Sequence, residues 1–89
     1  MAHVLFMDVV GYSKLPIDEQ TSVLHTLKEI VQATAQVKRA QSTDQLTSIP
    51  TGDGMALVFF NDPLGPVECA LEVAKALKSH PEVQLRMGL

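Results

Sequence analysis

Hydrophobic residues follow one another almost without interruption at the start of this chain. They extend from Ala2 to Val10, and Gly11 ends the run. A strand buried on both faces has this continuous apolar pattern, whereas a strand with one face in water alternates apolar and polar residues. The pattern therefore predicts a first strand over residues 2–10.

A helical pattern follows the first strand. Between Pro16 and about Arg39, apolar residues recur at helical spacing and form one stripe, which consists of Leu24, Leu27, Val31 and Ala35 and is widened by Val23, Ile30 and Val37. Acidic residues at 18–19 and basic residues at 38–39 lie where the helix dipole favours them, and Pro16 suits a first turn. We predict one long amphipathic helix over residues 16–39.

The second half of the chain repeats this alternation of strands and helices. Residues 45–51 and 55–60 flank Gly52-Asp53-Gly54, and an aspartate beside glycine between two such runs indicates a hairpin. Residues 61–63 (Asn-Asp-Pro) offer a cap and a first-turn proline for a second helix, whose predicted stripe is Val67, Ala70, Leu71, Ala74 and Leu77. Alternating residues then predict a fourth strand at the end of the chain, with Val83, Leu85 and Met87 apolar and Gln84 and Arg86 polar.

The predicted order is strand, helix, strand, strand, helix, strand. It is typical of an α+β, ferredoxin-like βαββαβ sandwich, in which two helices cover one face of an antiparallel sheet. With right-handed crossovers, the third strand lies between the first and the second and is antiparallel to both. No repeat, linker or low-complexity segment divides the chain, so we expect residues 1–89 to form a single domain.

The first and third strands are apolar on both faces, although the two helices cover only one. We therefore expect the other face to meet another protein surface. A chain of 89 residues also buries a modest core, which a partner surface often completes. Both considerations favour a homodimer or pairing with a related domain.

Composition narrows the possible partners. The net charge is −3, and the seven Lys and Arg residues are scattered along the chain. This distribution favours neither nucleic acid nor a polybasic membrane anchor. One cysteine, Cys69, excludes an internal disulfide, and the sequence shows neither a signal peptide nor an apolar run long enough to span a membrane. We expect a cytoplasmic protein.

Two aspartates stand out because their neighbours are apolar or glycine. Asp8 interrupts the first strand, and Asp53 occupies the hairpin turn. Each alone has an ordinary explanation, since a strand-end aspartate can hydrogen-bond its own loop and an aspartate beside glycine commonly forms a turn. The predicted topology, however, brings both to the same end of the sheet, where a shared divalent cation would stabilise two carboxylates.

Three segments resemble the catalytic domain of class III adenylate and guanylate cyclases. Residues 5–13 (LFMDVVGYS) resemble the family's strand-Asp-hydrophobe-x-Gly-aromatic-Ser/Thr segment, and residues 51–60 (TGDGMALVFF) resemble its Gly-Asp hairpin. Residues 85–89 (LRMGL) resemble the strand that leads to its Gly-hydrophobe-His-x-Gly stretch. Each string alone is weak, but their order and spacing together are fairly specific, and the likeness covers the N-terminal half of the family's domain.

The resemblance implies a lyase of cyclic-nucleotide signalling that converts ATP or GTP to a cyclic nucleotide and pyrophosphate. Two Mg²⁺ or Mn²⁺ ions would be held by Asp8, Asp53 and the backbone carbonyl of Val9. Phosphate contacts are implied for the loop after the first strand, next to a helix N-terminus, and for the hairpin turn; these residues are Gly11, Tyr12, Ser13 and Gly52.

Two departures from the family pattern limit what the resemblance implies. The family reads its purine with a Lys or Glu four positions before the second metal aspartate, where this chain has Ile49, followed by Pro50. An isoleucine cannot hydrogen-bond a base edge, so the sequence does not choose between ATP and GTP. The Asn and Arg that stabilise the family's transition state are not among these residues, and we expect the 89-residue chain alone to be inactive or nearly so.

Three alternatives remain open. The chain could be a degenerate cyclase-homology domain that dimerises or binds nucleotide as a regulator, or an unrelated ferredoxin-like binding module whose aspartates only form turns. A diguanylate cyclase is less favoured, because its Gly-Gly-Asp/Glu-Glu-Phe hairpin differs from residues 51–55. The histidines and Cys69 have no partners at catalytic or metal-ligand spacing, so we expect packing or surface roles for them.

Overall fold

The computed structural model describes all residues 1–89 as one α+β unit with three α-helices and four strands. The strands are β1 (Ala2–Val9), β2 (Leu46–Pro50), β3 (Gly54–Phe60) and β4 (Leu85–Gly88). The helices are α1 (Ile17–Ala33), α2 (Ala35–Ser42) and α3 (Gly65–Ala76), and short 3-10 turns cover Tyr12–Lys14 and Leu77–Ser79. None of the helices combines the length and the apolar character that crossing a membrane requires.

The four strands form one antiparallel sheet in the order β2-β3-β1-β4. β3 lies between β1 and β2 and is antiparallel to both, as the sequence predicted. Asp8 is opposite Gly54 across the β1–β3 pair and opposite Arg86 across the β1–β4 pair. This register determines which residues meet at the site described below.

One face of the sheet carries the hydrophobic core. Alternate residues of the central strands are buried there against the helices, namely Leu5, Met7 and Val9 from β1 and Met55, Leu57 and Phe59 from β3. The helices contribute the rest of the cluster, which includes Val23, Leu27, Ile30, Val31, Val37, Cys69 and Val73. Burial of this set accounts for the folding of all three helices onto a single face.

The other face, which we call the open face, has no helix over it. It carries Val4, Phe6 and Asp8 from β1, Gly54, Ala56, Val58 and Phe60 from β3, Thr47 and Ile49 from β2, and Arg86 and Gly88 from β4. Phe6 is 53% exposed, so the prediction that β1 is buried on both faces is wrong for the single chain. The apolar run reflects two faces of different kinds, one packed on helices and one exposed.

The predicted long helix is two helices, because the chain turns at Thr34. Thr34 has extended backbone angles (φ −68°, ψ 145°), and its hydroxyl donates to the Val31 carbonyl and accepts from the Val37 amide. The Glu72 carboxylate on α3 accepts from the Ala35 amide at 2.9 Å. Ala35 is exposed, so its predicted place in the apolar stripe was wrong. Caps of this kind satisfy the amides that begin a new helix.

The last helix begins later and faces differently than predicted. It starts at Gly65, while the Asp62 carboxylate accepts from the Gly65 amide at 3.0 Å in front of the first turn. Its buried face is built on Cys69 and Val73, whereas the predicted stripe residue Leu71 is 67% exposed. The helix is apolar on two adjacent faces, and only contact with the sheet selects between them.

Candidate metal and triphosphate site

The two aspartates singled out in the sequence lie at one end of the β1–β3 pair. Asp8 is directly opposite Gly54, the residue after Asp53. The Val9 amide donates a hydrogen bond to the Asp53 carbonyl at 2.8 Å, which continues the pairing into the turn. The predicted proximity of Asp8, Val9 and Asp53 is therefore present at the level of the backbone.

Glycines permit this close approach. A side chain at Gly54 would place its Cβ 1.8 Å from the Met7 carbonyl oxygen, so only glycine fits opposite Asp8. Gly52 has a φ of +92°, a backbone conformation that L side chains rarely adopt. The two glycines beside Asp53 are thus required for different reasons: Gly54 because a side chain would clash, and Gly52 because of its backbone conformation.

Neither aspartate is engaged by its own surroundings. The side-chain hydrogen bonds of the protein do not include one from or to the carboxylate of Asp8 or Asp53. Neither carboxylate belongs to an ion pair. Asp8 is half-buried on the open face and Asp53 is exposed in the turn. The loop hydrogen bond considered for Asp8 is therefore absent, whereas Asp53 lies in the turn between β2 and β3, as its turn-forming alternative expects.

The loop after β1 is held by a residue that the sequence did not single out. Gly11 has a φ of +71° and leads into the 3-10 turn Tyr12–Lys14. The Gln20 side-chain amide on α1 donates to the Tyr12 carbonyl at 3.0 Å and to the Leu15 carbonyl at 3.1 Å. Tyr12 is half-buried against the core and Ser13 is exposed. Gln20 therefore fixes the shape of the loop from one helical turn away.

The resemblance implied that this loop lies next to a helix N-terminus. In the structure the loop does not lie directly at the start of a helix. A 3-10 turn and Pro16 separate Ser13 from the first residue of α1, Ile17. Any anion at this loop would meet the 3-10 turn rather than the first turn of α1. Lys14, which is exposed in the same turn, is the nearest cation in sequence.

Arg86 is a second residue that the sequence analysis did not include in the site. It is the cross-strand neighbour of Asp8 on β4, and both lie on the open face. No carboxylate lies within ion-pair distance of its guanidinium. Because Arg86 alternates with the apolar residues Leu85 and Met87, the sequence already predicted that it faces away from the core. Which residue lies opposite it depends on the register of the sheet.

Ile49 lies on the open face, where Ala56 is its partner on β3. It is 46% exposed, and its apolar side chain provides no hydrogen bond to a purine edge. Pro50 follows on the outer strand β2, where the missing amide donor is tolerated because an edge strand needs only one hydrogen-bonding side.

The oxygen ligands that the protein supplies are of the type that a hard divalent cation prefers, but they are too few to fill its coordination shell. The site offers two carboxylates and backbone carbonyl oxygens, which are the ligands that Mg²⁺ and Mn²⁺ prefer. No cluster of three or more His, Cys, Asp or Glu side chains that could hold a metal occurs in the chain. A metal here would therefore take further oxygens from water and from a bound phosphate, as Mg²⁺ commonly does with nucleotides.

The remaining titratable candidates lie away from this site. The exposed His25 imidazole lies 2.8 Å from the Glu29 carboxylate on α1, and His80 lies 3.5 Å from Glu82. Cys69 is fully buried, and burial raises the pKa of its thiol to about 11, partly offset by the hydrogen bond with the Thr34 hydroxyl. A thiol in this state is not a nucleophile near neutral pH.

No protein-family model matches this chain, and no curated protein is significantly similar to it.

Proposed function

We propose that this chain is the metal- and triphosphate-binding part of a purine nucleotide cyclase of the class III kind. The observation that carries the proposal is the sheet register, which places Asp8 beside the Asp53 turn with both carboxylates free of other partners. Asp8 and Asp53 come from segments far apart in the sequence, and both match the motifs of that family. Their meeting at one end of the sheet is what a two-metal site requires.

The element order supports a ferredoxin-like relationship. If α1 and α2 are taken as one crossover interrupted at Thr34, the order becomes βαββαβ. The strand order β2-β3-β1-β4 agrees with the arrangement expected for that sandwich. The break at Thr34 lies far from Asp8 in sequence and leaves the pairing of β1 with β3 intact.

In this proposal Asp8, Asp53 and the Val9 carbonyl hold two Mg²⁺ or Mn²⁺ ions. Bound divalent ions would make the ribose 3′-hydroxyl a better nucleophile and neutralise charge on the triphosphate, from which pyrophosphate leaves. The carboxylates supply negative charge and fixed oxygens, and the close backbone approach at Gly54 sets their separation. Gly11, Tyr12, Ser13 and Gly52 are the proposed phosphate contacts, and Gln20 keeps the loop in shape.

The proposed substrate is ATP or GTP without a preference that this chain enforces. Ile49 faces the open side of the sheet and offers an apolar surface for a purine ring but no hydrogen bond. A pocket that lacks a polar partner for the base discriminates weakly. Selectivity, if the cyclase has it, would come from residues other than Ile49.

Calorimetric titration of the chain with Mn²⁺ and with ATP or GTP tests the proposal. We expect Mn²⁺-dependent nucleotide binding, and we expect its loss in the Asp8→Asn, Asp53→Asn double variant. Asp44→Asn is the matched control, since it removes one exposed carboxylate in another turn, at a positive φ of 58° that Asn tolerates.

The folded state of each variant is checked by circular dichroism. Binding that is equal in the wild type and in the folded double variant, or that falls equally in Asp44→Asn, would contradict the assignment of Asp8 and Asp53 as ligands. Absence of binding in the wild type would contradict the metal-triphosphate site itself.

A second candidate function has support from the open face. Phe6, Ile49 and Phe60 are each at least 40% exposed on it, and this apolar surface suits pairing with a second copy of the chain. A cyclase-homology domain that has lost base reading could act as a dimerising or nucleotide-binding regulator. Sedimentation of the wild type and of Phe6→Ser tests the pairing: a dimer dissociated by Phe6→Ser supports the homodimer, and a monomeric wild type excludes it.

A further inference from the structure

A groove of about 390 Å³ lies on the side of the sheet opposite Asp8, between α1 and the β2–β3 hairpin. Leu24 and Leu27 line it from α1, and Pro50 and Met55 line it from the hairpin. Its volume is at the small end of the range for sites that bind small molecules. Nothing in the proposed cyclase chemistry uses this groove.

One of the polar groups around the groove is a cation, the Lys28 ammonium. Lys28 and Ser48 line it from opposite sides, and His25 lies beside Lys28. His25 is already paired with Glu29 at 2.8 Å, whereas Lys28 has no ion-pair partner. The Ser48 side chain is exposed and takes part in none of the side-chain hydrogen bonds of the protein. The groove therefore combines apolar walls with one uncompensated ammonium and one free hydroxyl.

We infer that this groove binds a small amphipathic carboxylate, with its apolar body between Leu24 and Met55 and its carboxylate at Lys28 and Ser48. Charge complementarity selects an anion over a neutral ligand, because Lys28 is the cation of the groove that no carboxylate of the protein neutralises. The Ser48 hydroxyl on the facing wall is a second donor from which a carboxylate accepts a hydrogen bond. The apolar walls disfavour a fully solvated inorganic anion, which would lose its hydration there.

The groove is separate from the proposed metal site, but both are formed in part by the β2–β3 hairpin. Pro50 and Met55 are cross-strand partners with core parity, whereas Asp8 is on the open face. Gly54 lines the groove, and it also lies against the backbone of Met7 and Asp8 on the neighbouring strand β1. A ligand in the groove would thus rest against the hairpin that carries Asp53 without contacting the metal ligands.

Titration with phenylpropanoate, followed by two-dimensional amide NMR, tests the inference. We expect saturable shifts at Leu24, Lys28, Ser48 and Met55, and weaker binding of the neutral analogue phenylpropanol. Lys28→Gln is expected to weaken phenylpropanoate about two- to fivefold, the effect of an exposed ion pair, and to leave phenylpropanol unchanged. Lys38→Gln on α2 is the matched control, because it removes an exposed lysine outside the groove.

Ser48→Phe, which fills the groove from β2, is expected to abolish binding while the amide spectrum stays dispersed. The Asp8→Asn, Asp53→Asn variant is expected to bind phenylpropanoate like the wild type, so failure of the metal site does not affect this test. Equal binding of the acid and the alcohol, an effect of Lys38→Gln equal to that of Lys28→Gln, shifts scattered outside the groove, or no saturable shift up to the solubility limit would each overturn the inference.

Discussion

The two faces of the sheet share strands but differ in how their residues are satisfied. On the covered face, Leu5, Met7 and Leu57 are almost completely buried among helices. On the open face, Phe6 is 53% exposed and Asp8 has no hydrogen-bond or ion-pair partner. Adjacent residues of β1 therefore have different roles. Those on the covered face stabilise the fold, and those on the open face expose groups that make no contribution of this kind to folding.

This difference separates residues that folding explains from residues that need another reason. An apolar side chain on the covered face lowers the free energy of the folded state by leaving water. An aspartate on the open face contributes nothing of this kind, and its neighbour Arg86 does not pair with it. The open face is therefore where binding of a metal, a nucleotide or a second chain has to be tested.

The largest expected effect on stability is at Gly54, where β1 and β3 approach each other closely. Gly54→Ala would bring a Cβ to within 1.8 Å of the Met7 carbonyl oxygen, and backbone would have to move. We expect a loss of at least about 3 kcal/mol of folding free energy, or failure to fold. Urea denaturation followed by circular dichroism measures this loss.

Gly88→Ala is the control for this prediction. A Cβ at Gly88 meets nothing within 4 Å and its φ is not positive, so a change within about 0.5 kcal/mol is expected. Equal stabilities of the Gly54→Ala and Gly88→Ala variants would show that β1 and β3 do not approach as closely as described.

Adjacent substitutions in β1 compare the two faces directly. Leu5→Ala removes a fully buried side chain and is expected to cost about 2–5 kcal/mol, as large-to-small core substitutions do. Phe6→Ala removes a half-exposed side chain and is expected to cost less than about 1 kcal/mol in the monomer. Thermal and urea unfolding at low protein concentration provide both values.

A larger cost for Phe6→Ala that grows with protein concentration would instead indicate that a second chain covers the open face. Similar costs for both substitutions at every concentration would contradict the contrast between the faces.

The sheet could be predicted from the sequence because its signals are local and agree with one another. The apolar runs, the Gly-Asp-Gly turn and the alternation around Arg86 together determine the strands, and topology rules then bring Asp8 to the turn. The unpaired state of Asp8 and its position opposite Arg86 could not be predicted, because both depend on the register of β4.

The helices were harder to predict because their decisive contacts are distant in sequence. Thr34 fits a helical pattern as well as a cap, and its role as a cap depends on Glu72 and Cys69, which α3 brings to it. Likewise, α3 is apolar on two sides, and periodicity could not decide between Leu71 and Val73. Tertiary packing made both choices.

A pH-dependent loss of stability is expected from Cys69 on the covered face. Its pKa rises from 9.0 in the exposed thiol to about 11 in the fold, mainly because burial disfavours the thiolate. Between these values the unfolded chain releases the proton while the folded chain keeps it, so stability falls as pH rises. By about pH 10 the loss is about 1 kcal/mol.

Urea unfolding of the wild type and of Cys69→Ala at about pH 8 and pH 10 measures this effect. The prediction concerns the difference between the two pH dependences, because Cys69→Ala removes the thiol and leaves every other titratable group in place. An identical decline in both proteins would show that the thiol ionises equally well in the folded and unfolded states.

The smallest expected effect concerns Arg86 and sharpens the interpretation of the open face. A guanidinium opposite Asp8 repels a divalent cation at that carboxylate, by about 1 kcal/mol or less for neighbouring charges in contact with water. Arg86→Gln is therefore expected to raise Mn²⁺ affinity up to about fivefold by calorimetry, while Lys75→Gln on α3 leaves it unchanged. If Asp8 is not a metal ligand, Arg86→Gln leaves Mn²⁺ affinity as it was, and a lower free energy of unfolding would then show that Arg86 and Asp8 pair in solution. These two outcomes assign the unpaired aspartate either to ligand binding or to the sheet.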